Sequence, residues 1–198
     1  MPEKRMSNHF ARFGLTPSPW VGIDLLKQRF LELSAAHHPD KATDKNRAEQ
    51  EFQAINQSYN ILRNSRARLL HLLELHGRPK QEHVQNVPAE VMPFFMEVAH
   101  VTQRADALIK QKSAATSPML KVQLMDQALN QTENIQSLQA KLRTSINQIE
   151  AQLKLTADNF PAVPTPPTLN QLAQAAAALG FLERWSTQLQ ERIGALTF

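Results

Sequence analysis

Apolar residues return along this chain at steps of three and four, the period of a helix face, and each run of them predicts one helix. A short one covers Asn8 to Gly14. Asn8 is placed to cap it, Phe10 and Phe13 are spaced i, i+3, and Gly14 suits a C-terminal stop. Thr16-Pro17-Ser18-Pro19 then reads as a rigid loop. From Val21 to His37 the residues Ile23, Leu26, Phe30, Leu33 and His37 form one core-facing stripe, with His37 closing it. Lys27, Leu31, Ser34 and His38 recur along another face of the same helix. Pro39 ends this helix and pushes His38 away from the α region. Lys41 to Lys45 is a polar, basic loop. Asn46 followed by Glu49 resembles a capping box that starts the next helix, in which Phe52, Ile55, Tyr59 and Leu62 repeat at 3, 4 and 3. Two such helices joined by a short loop are expected to zip together antiparallel.

Asn64-Ser65 interrupts the pattern, and Arg66 to His76 resumes it as a short helix stopped by Gly77 and Pro79. Its leucines at 69, 70, 72 and 73 are too many for one side. A polar stretch from Lys80 to Asn86 marks a boundary, and Pro88 opens a second region. There Val91, Phe95, Val98, Ala105 and Leu108 fit one face of a helix, with Pro93 tolerable only near its first turn. After a break from Ser113 to Pro118, a long helix is expected from Met119 to about Leu155, its stripe marked by Ile135, Leu138, Leu142, Ile149 and Leu153. The proline-rich run from Phe160 to Pro167 is expected to be extended. A last helix, from about Thr168 to Leu196, is lined by Leu172, Ala176, Leu179, Trp185, Leu189 and Ile193. Three helices with one apolar stripe each make an antiparallel bundle. The predicted class is all-α: a helical hairpin in residues 1–80 and a three-helix bundle in residues 87–198.

Composition agrees and removes several function classes. Of the 198 residues 42% are hydrophobic, enough for a packed core, while Gly number only 5 and aromatics make up 6%. No apolar run approaches the roughly 20 residues that span a bilayer, and the start has no apolar segment of a secretory signal. A membrane association is not expected. Cysteine is absent, which excludes disulfides, thiolate metal sites and a cysteine nucleophile, and fits a reducing, cytoplasmic setting. The net charge of +4 is unevenly spread: residues 1–80 carry 13 Lys/Arg against 8 Asp/Glu, and residues 81–198 carry 9 against 10. The basic excess could meet an acidic partner surface. Without a dense Lys/Arg run interleaved with aromatics, nucleic acid is not the expected partner.

The chemistry concentrates at His38-Pro39-Asp40, followed by Lys41. Read plainly, this is a helix stop: the proline breaks, the aspartate makes an Asx-turn and the histidine is exposed. Its setting, at the tip of a striped hairpin with a basic helix face behind it, gives it a sharper meaning. The segment KQRFLELSAAHHPDK, followed by FQAINQSYNILRN, resembles the J-domain, the module by which co-chaperones stimulate DnaK-type chaperones. NHFARFGL, RF before HHPDK, and AINQSYNILRNSRARLLHLLELHG are similar to the HscB family of J-proteins, dedicated to iron–sulfur cluster assembly. PAEVMPFFMEV looks like the start of that family's cargo-binding domain, and GFLERWSTQLQERI like its last helix.

The resemblance implies a fold of two parts packed in an L-shape through the Arg66–His76 helix, and an activator rather than an enzyme. Its chaperone-binding residues would be His38, Pro39, Asp40, Lys41, Arg29 and Lys27, acting on a DnaK/HscA-type ATPase. An aspartate there can accept paired hydrogen bonds from a partner arginine. There are departures: Leu31, Glu32 and Ala36 stand where general J-domains are often basic, which fits one specialised chaperone rather than many. The resemblance also implies an IscU-type scaffold as cargo, held by Met92, Phe95, Met96, Glu97 and Phe181. Four large apolar residues among Met92, Phe94, Phe95 and Met96 are too wide for one buried stripe, so some should be exposed. Met92, Met96 and Glu97 match in one ungapped register, and Phe95-Met96-Glu97 also fits when slid by three. His100 and Arg104 stand where acids are expected.

The 7 histidines include no pair spaced for a shared metal, so neither a metal nor another cofactor is expected. Some HscB relatives have a cysteine-based zinc module that this chain lacks. No nucleophile elbow, phosphate-binding glycine loop or HExxH occurs. The competing reading is an adaptor for a different client, with the bundle as a general interaction module.

Overall fold

A computed structural model describes residues 8–38, 44–78 and 87–197. The described residues form helices and connecting loops, with no strand among them. The helices are α1 (His9–Arg12), α2 (Ile23–Ala36), α3 (Lys45–Arg63), α4 (Ser65–Leu75), α5 (Met92–Ala114), α6 (Pro118–Asp158) and α7 (Pro166–Thr197), with one 3₁₀ turn at Ala89–Val91. They group into two compact units. The first takes residues up to 83 together with 150–176, and the second takes 84–149 with 177–198.

The helix ends follow local chemistry. Asn8 caps α1 through its side chain, which accepts from the Ala11 N–H. Gly14, at φ +62°, closes it with bonds from Gly14 to the Ala11 carbonyl and from Leu15 to the Phe10 carbonyl. This is a Schellman ending, which needs the left-handed conformation that glycine adopts without strain. Gly77, at φ +76°, ends α4 in the same way, with Arg78 bonded back to the Leu73 carbonyl. Asn64 is the extended residue between α3 and α4, and its side chain caps α4 at Ala67.

Two expected starts are displaced. Helix α3 is capped by Asp44, which accepts from the Arg47 N–H at 3.1 Å, and not by Asn46, which lies inside the helix. A carboxylate at the N-cap satisfies an orphan N–H and also opposes the helix dipole, so the earlier residue wins. Helix α7 starts at Pro166 rather than Thr168. Prolines suit a first turn, whose N–H groups are unpaired anyway, and Thr165 turns its hydroxyl to the Thr168 N–H.

In the first unit Phe10, Phe13, Leu26, Ile55, Leu62, Leu69 and Leu72 are fully buried. Helices α2 and α3 run antiparallel: Phe30 stacks on Tyr59 at 4.3 Å, and His38, just beyond the end of α2, meets Phe52, earlier on α3, at 6.2 Å. The stripe expected on α2 holds only in its middle. Leu26 is buried and Phe30 and Leu33 are half-buried, but Ile23 and His37 are exposed. Ile23 is the first helical residue, and His37 is the C-cap with non-helical dihedrals, which turns its side chain off the stripe. In the second unit Val91, Ala105, Ile135, Leu138, Leu142, Leu179, Leu182 and Leu189 make the core. All belong to the 3₁₀ turn, α5, α6 and α7, the three-helix bundle the periodicity predicts.

Candidate interaction surfaces

Two buried polar clusters hold the hairpin in the first unit. The Ser58 hydroxyl donates to the Ala54 carbonyl at 2.7 Å, so toward His9 it acts as acceptor, taking the Nδ1–H at 2.9 Å. The His9 backbone N–H donates to Nε2 of His71 at 3.1 Å. Three elements, α1, α3 and α4, are thereby joined by groups that would be costly to leave unpaired. The second cluster centres on Arg68, only 3% exposed. Its Nε donates to the Pro19 carbonyl at 3.1 Å, one terminal nitrogen to the Leu62 carbonyl at 2.7 Å and the other to the Ser65 hydroxyl at 3.1 Å. Ser65 in turn donates to Glu150 at 2.8 Å. Burial lowers the Arg68 pKa to about 10, against the raising influence of Glu150. The periodicity gave Arg68 no role, because its partners lie far away in sequence. The only local signal is a cation at the i−4 position from Leu72 within an otherwise leucine-rich turn.

This framework carries the first group of candidate residues. His38 is exposed just past the end of α2, its ring edge-to-face with Phe52. Lys27 is exposed on the same helix. Arg29 is exposed but bonded to Glu32 at 3.3 Å, and Glu32 also accepts from Gln28 at 2.8 Å. Pro39, Asp40 and Lys41 lie outside the described residues.

The second group lies in the second unit. Met92 and Met96 are exposed, Met96 the more so at 74%. Phe95, expected on the buried stripe with Val91 and Val98, is instead 48% exposed and meets Trp185 edge-to-face at 6.3 Å. Trp185, buried as its place on the stripe predicts, is the residue that joins the group: Phe181 also packs against it, at 5.6 Å. Arg184 lies over the Phe181 ring at 4.7 Å, a cation–π contact. An open groove of about 430 Å³ continues from Phe95 and Trp185 past Val98 and Thr102 to Asp106 and Gln188. Glu97 is bound to Lys141 at 2.6 Å, and His100 and Arg104 are exposed on α5. The structure thus brings Phe95 and Phe181 together through Trp185, leaves Met92 and Met96 open, and pairs Glu97 with a cation.

Comparison with known proteins supplies the family. Residues 14–71 match the model of the DnaJ domain, which takes in α2, α3 and most of α4. Among curated proteins, the co-chaperone protein HscB homolog of Acinetobacter baylyi is 33% identical over 109 residues, 55% of this chain and 62% of that protein. The match therefore spans less than two thirds of that relative's length. The HscB homolog of Vibrio vulnificus is 30% identical over 168 residues, 74% of this chain and 98% of that protein. Among solved structures, the chaperone HscB from Vibrio cholerae superposes with a TM-score of 0.61 over 93% of this chain and 96% of its own, at 20% identity, a likeness of fold. With a J-domain at its N-terminal end and a relative matched over nearly its whole length, the chain belongs to the HscB family of J-domain co-chaperones.

Proposed function

We propose that this protein stimulates ATP hydrolysis by a DnaK/HscA-type chaperone and delivers to it an IscU-type scaffold, in support of iron–sulfur cluster assembly. The observation that carries the reading is the α2–α3 hairpin: within the segment matching the DnaJ domain, it presents an exposed histidine at the end of α2, immediately before Pro39 and Asp40 in the sequence. In this reading the chemistry happens in the partner. His38, Pro39, Asp40 and Lys41, with Lys27 and Arg29 behind them, bind the ATPase in its hydrolysing conformation better than in its resting one. Only such a difference in affinity can shift the partner's equilibrium. Residues 1–80 then serve as the J-domain and residues 87–198 as the cargo domain. The exposed Met92, Phe95 and Met96, with Phe181 beside Trp185, offer an adaptable apolar contact for the scaffold. The iron–sulfur cluster is cargo of the scaffold and needs no ligand here.

Steady-state ATP hydrolysis by the HscA-type chaperone, with and without the chain, tests the first half. Acceleration by the wild type and none by His38→Gln is expected; equal acceleration by both would sink the reading. Pull-down of the scaffold tests the second half, with retention expected for the wild type and loss on Met96→Ser or Phe181→Ser. A second reading, an adaptor for a different client, draws on the exposed His100 and Arg104 and on the pairing of Glu97 with Lys141. Full stimulation of the chaperone without retention of the scaffold would favour it.

A further inference from the structure

Helix α2 is built unlike a surface meant to meet a strongly acidic partner. It carries no net charge: Asp24 and Glu32 balance Lys27 and Arg29. The balance is also local. Arg29 is bonded to Glu32, while Asp24 sits in the first turn, where an acid complements the helix N-terminus. Lys27 makes no ion pair among the described residues. On either side of it, at steps of four, stand two large apolar residues in water: Ile23, 55% exposed, and Leu31, 58% exposed. Each step of four turns the helix by about 40°, so Ile23, Lys27 and Leu31 follow one another along a single narrow strip, and His38 lies at its far end. Leu25 is also exposed, but it lies round the helix from this strip, about 160° from Lys27 and one turn before Arg29, whose charge is already met by Glu32, so that side is peripheral to the contact. Burial of the strip's leucine and isoleucine is not realised within the folded chain, and a partner that covers them gains it.

We propose that α2 docks on its chaperone through Ile23, Lys27 and Leu31, an apolar–cation–apolar strip, and that the partner offers an apolar surface with one carboxylate rather than a broad acidic field. Leu31 then sets specificity. It supplies contact area to a partner with a matching apolar patch and offers nothing to one that recognises rows of cations. The inference rests on the chaperone reading proposed above and adds the chemistry of the contact.

The full-length chain is titrated into the HscA-type chaperone, and the half-maximal concentration for ATPase stimulation is measured at 50 and 200 mM KCl. The variants are Leu31→Ser, Leu31→Lys, Leu25→Ser and His38→Gln, each checked for an unchanged thermal midpoint. The wild type is expected to shift less over this salt range than Leu31→Lys by about threefold or more, because the strip carries one cation in the wild type and two in that variant. Leu31→Ser raises the half-maximal concentration about tenfold, the loss of about half a leucine's burial, with maximal stimulation retained. Leu25→Ser, exposed but off the strip, leaves it unchanged, an outcome that a general loss of stability would not give. Leu31→Lys weakens binding and makes it more salt-dependent. Stimulation by wild type, abolished by His38→Gln but insensitive to Leu31→Ser, overturns this inference alone. A salt shift in the wild type as large as that of Leu31→Lys does the same. No stimulation by the wild type overturns both this inference and the chaperone reading beneath it.

Discussion

Replacing Arg68 by methionine keeps the aliphatic stem and removes the charge, and the structure sets the size of the effect. Three acceptors lose their donor: the Pro19 and Leu62 carbonyls and the Ser65 hydroxyl. Hydrogen bonds to a charged group contribute about 1.5–3 kcal/mol each, so about 4–9 kcal/mol is at stake. Against this stands the cost of holding a guanidinium out of water. The lowering of its pKa from the ordinary arginine value to about 10 corresponds to roughly 3 kcal/mol at about 1.4 kcal/mol per unit. Methionine relieves that cost, so a net loss of about 3 kcal/mol is expected, in line with the roughly 3–5 kcal/mol typical of removing one partner of a buried charged network. Urea unfolding measures it. At slopes of about 2–3 kcal/mol per molar the midpoint should fall by about 1–1.5 M. The chain has 2 tryptophans, one in each unit. Trp20, with Lys154 over its ring at 5.1 Å, reports the Arg68 unit when Trp185 is replaced by phenylalanine. A Trp20 midpoint equal to or above that of wild type would refute the reasoning, since desolvation would then outweigh the hydrogen bonds. The pH dependence is a second check. The folded state binds fewer protons than the unfolded chain only between about 10 and the higher, ordinary value of an arginine in water. The desolvation cost is therefore present in full below about 10 and is relieved only as pH rises through that window. The Arg68→Met loss should be the same at pH 6 and pH 9.

Two smaller predictions follow from α3 and α2. Asp44→Ala removes the N-cap of α3 and should cost about 1 kcal/mol in urea unfolding, while Asn46→Ala should change stability by less than about 0.5 kcal/mol; the reverse order would restore the capping box. The Ser34 hydroxyl is buried with no hydrogen-bond partner among the described residues, so Ser34→Ala should stabilise the protein by about 0.5–1 kcal/mol, and a thermal midpoint below wild type would show that the hydroxyl is satisfied.

The helices and most of their buried stripes were legible because periodicity is a local signal. Ile135, Leu138, Leu142, Ile149 and Leu153 are buried as their spacing predicts, and so are Leu172, Ala176, Leu179 and Leu189. Errors gather where a helix ends or where a partner decides. Ile23 and His37 fit the α2 stripe by count, but a stripe is buried only as far as another element covers it. Phe95 fits its stripe equally well and yet stays half exposed, packed edge-to-face with Trp185 of α7. Arg68 could not be read at all. Its Pro19 partner is 49 positions away, and a buried arginine is tolerated only when such distant acceptors converge on it.

Charges at the candidate surfaces show the same limit with more consequence. The sequence presents Arg29 and Glu97 as groups available to a partner, but in the folded chain each is already paired, with Glu32 and with Lys141. Both pairs are substantially exposed, and ion pairs of that kind contribute about 0–1 kcal/mol. A partner can therefore displace Glu32 or Lys141 at small cost, but it gains correspondingly little from meeting a charge that already has a neighbour. The large differences in free energy remain with the groups that have no such alternative in the free protein: the side chains of Ile23 and Leu31 on α2 and of Met92 and Met96 on α5, all largely held in water. Binding at both surfaces should then be governed by apolar contact, with the charges setting orientation.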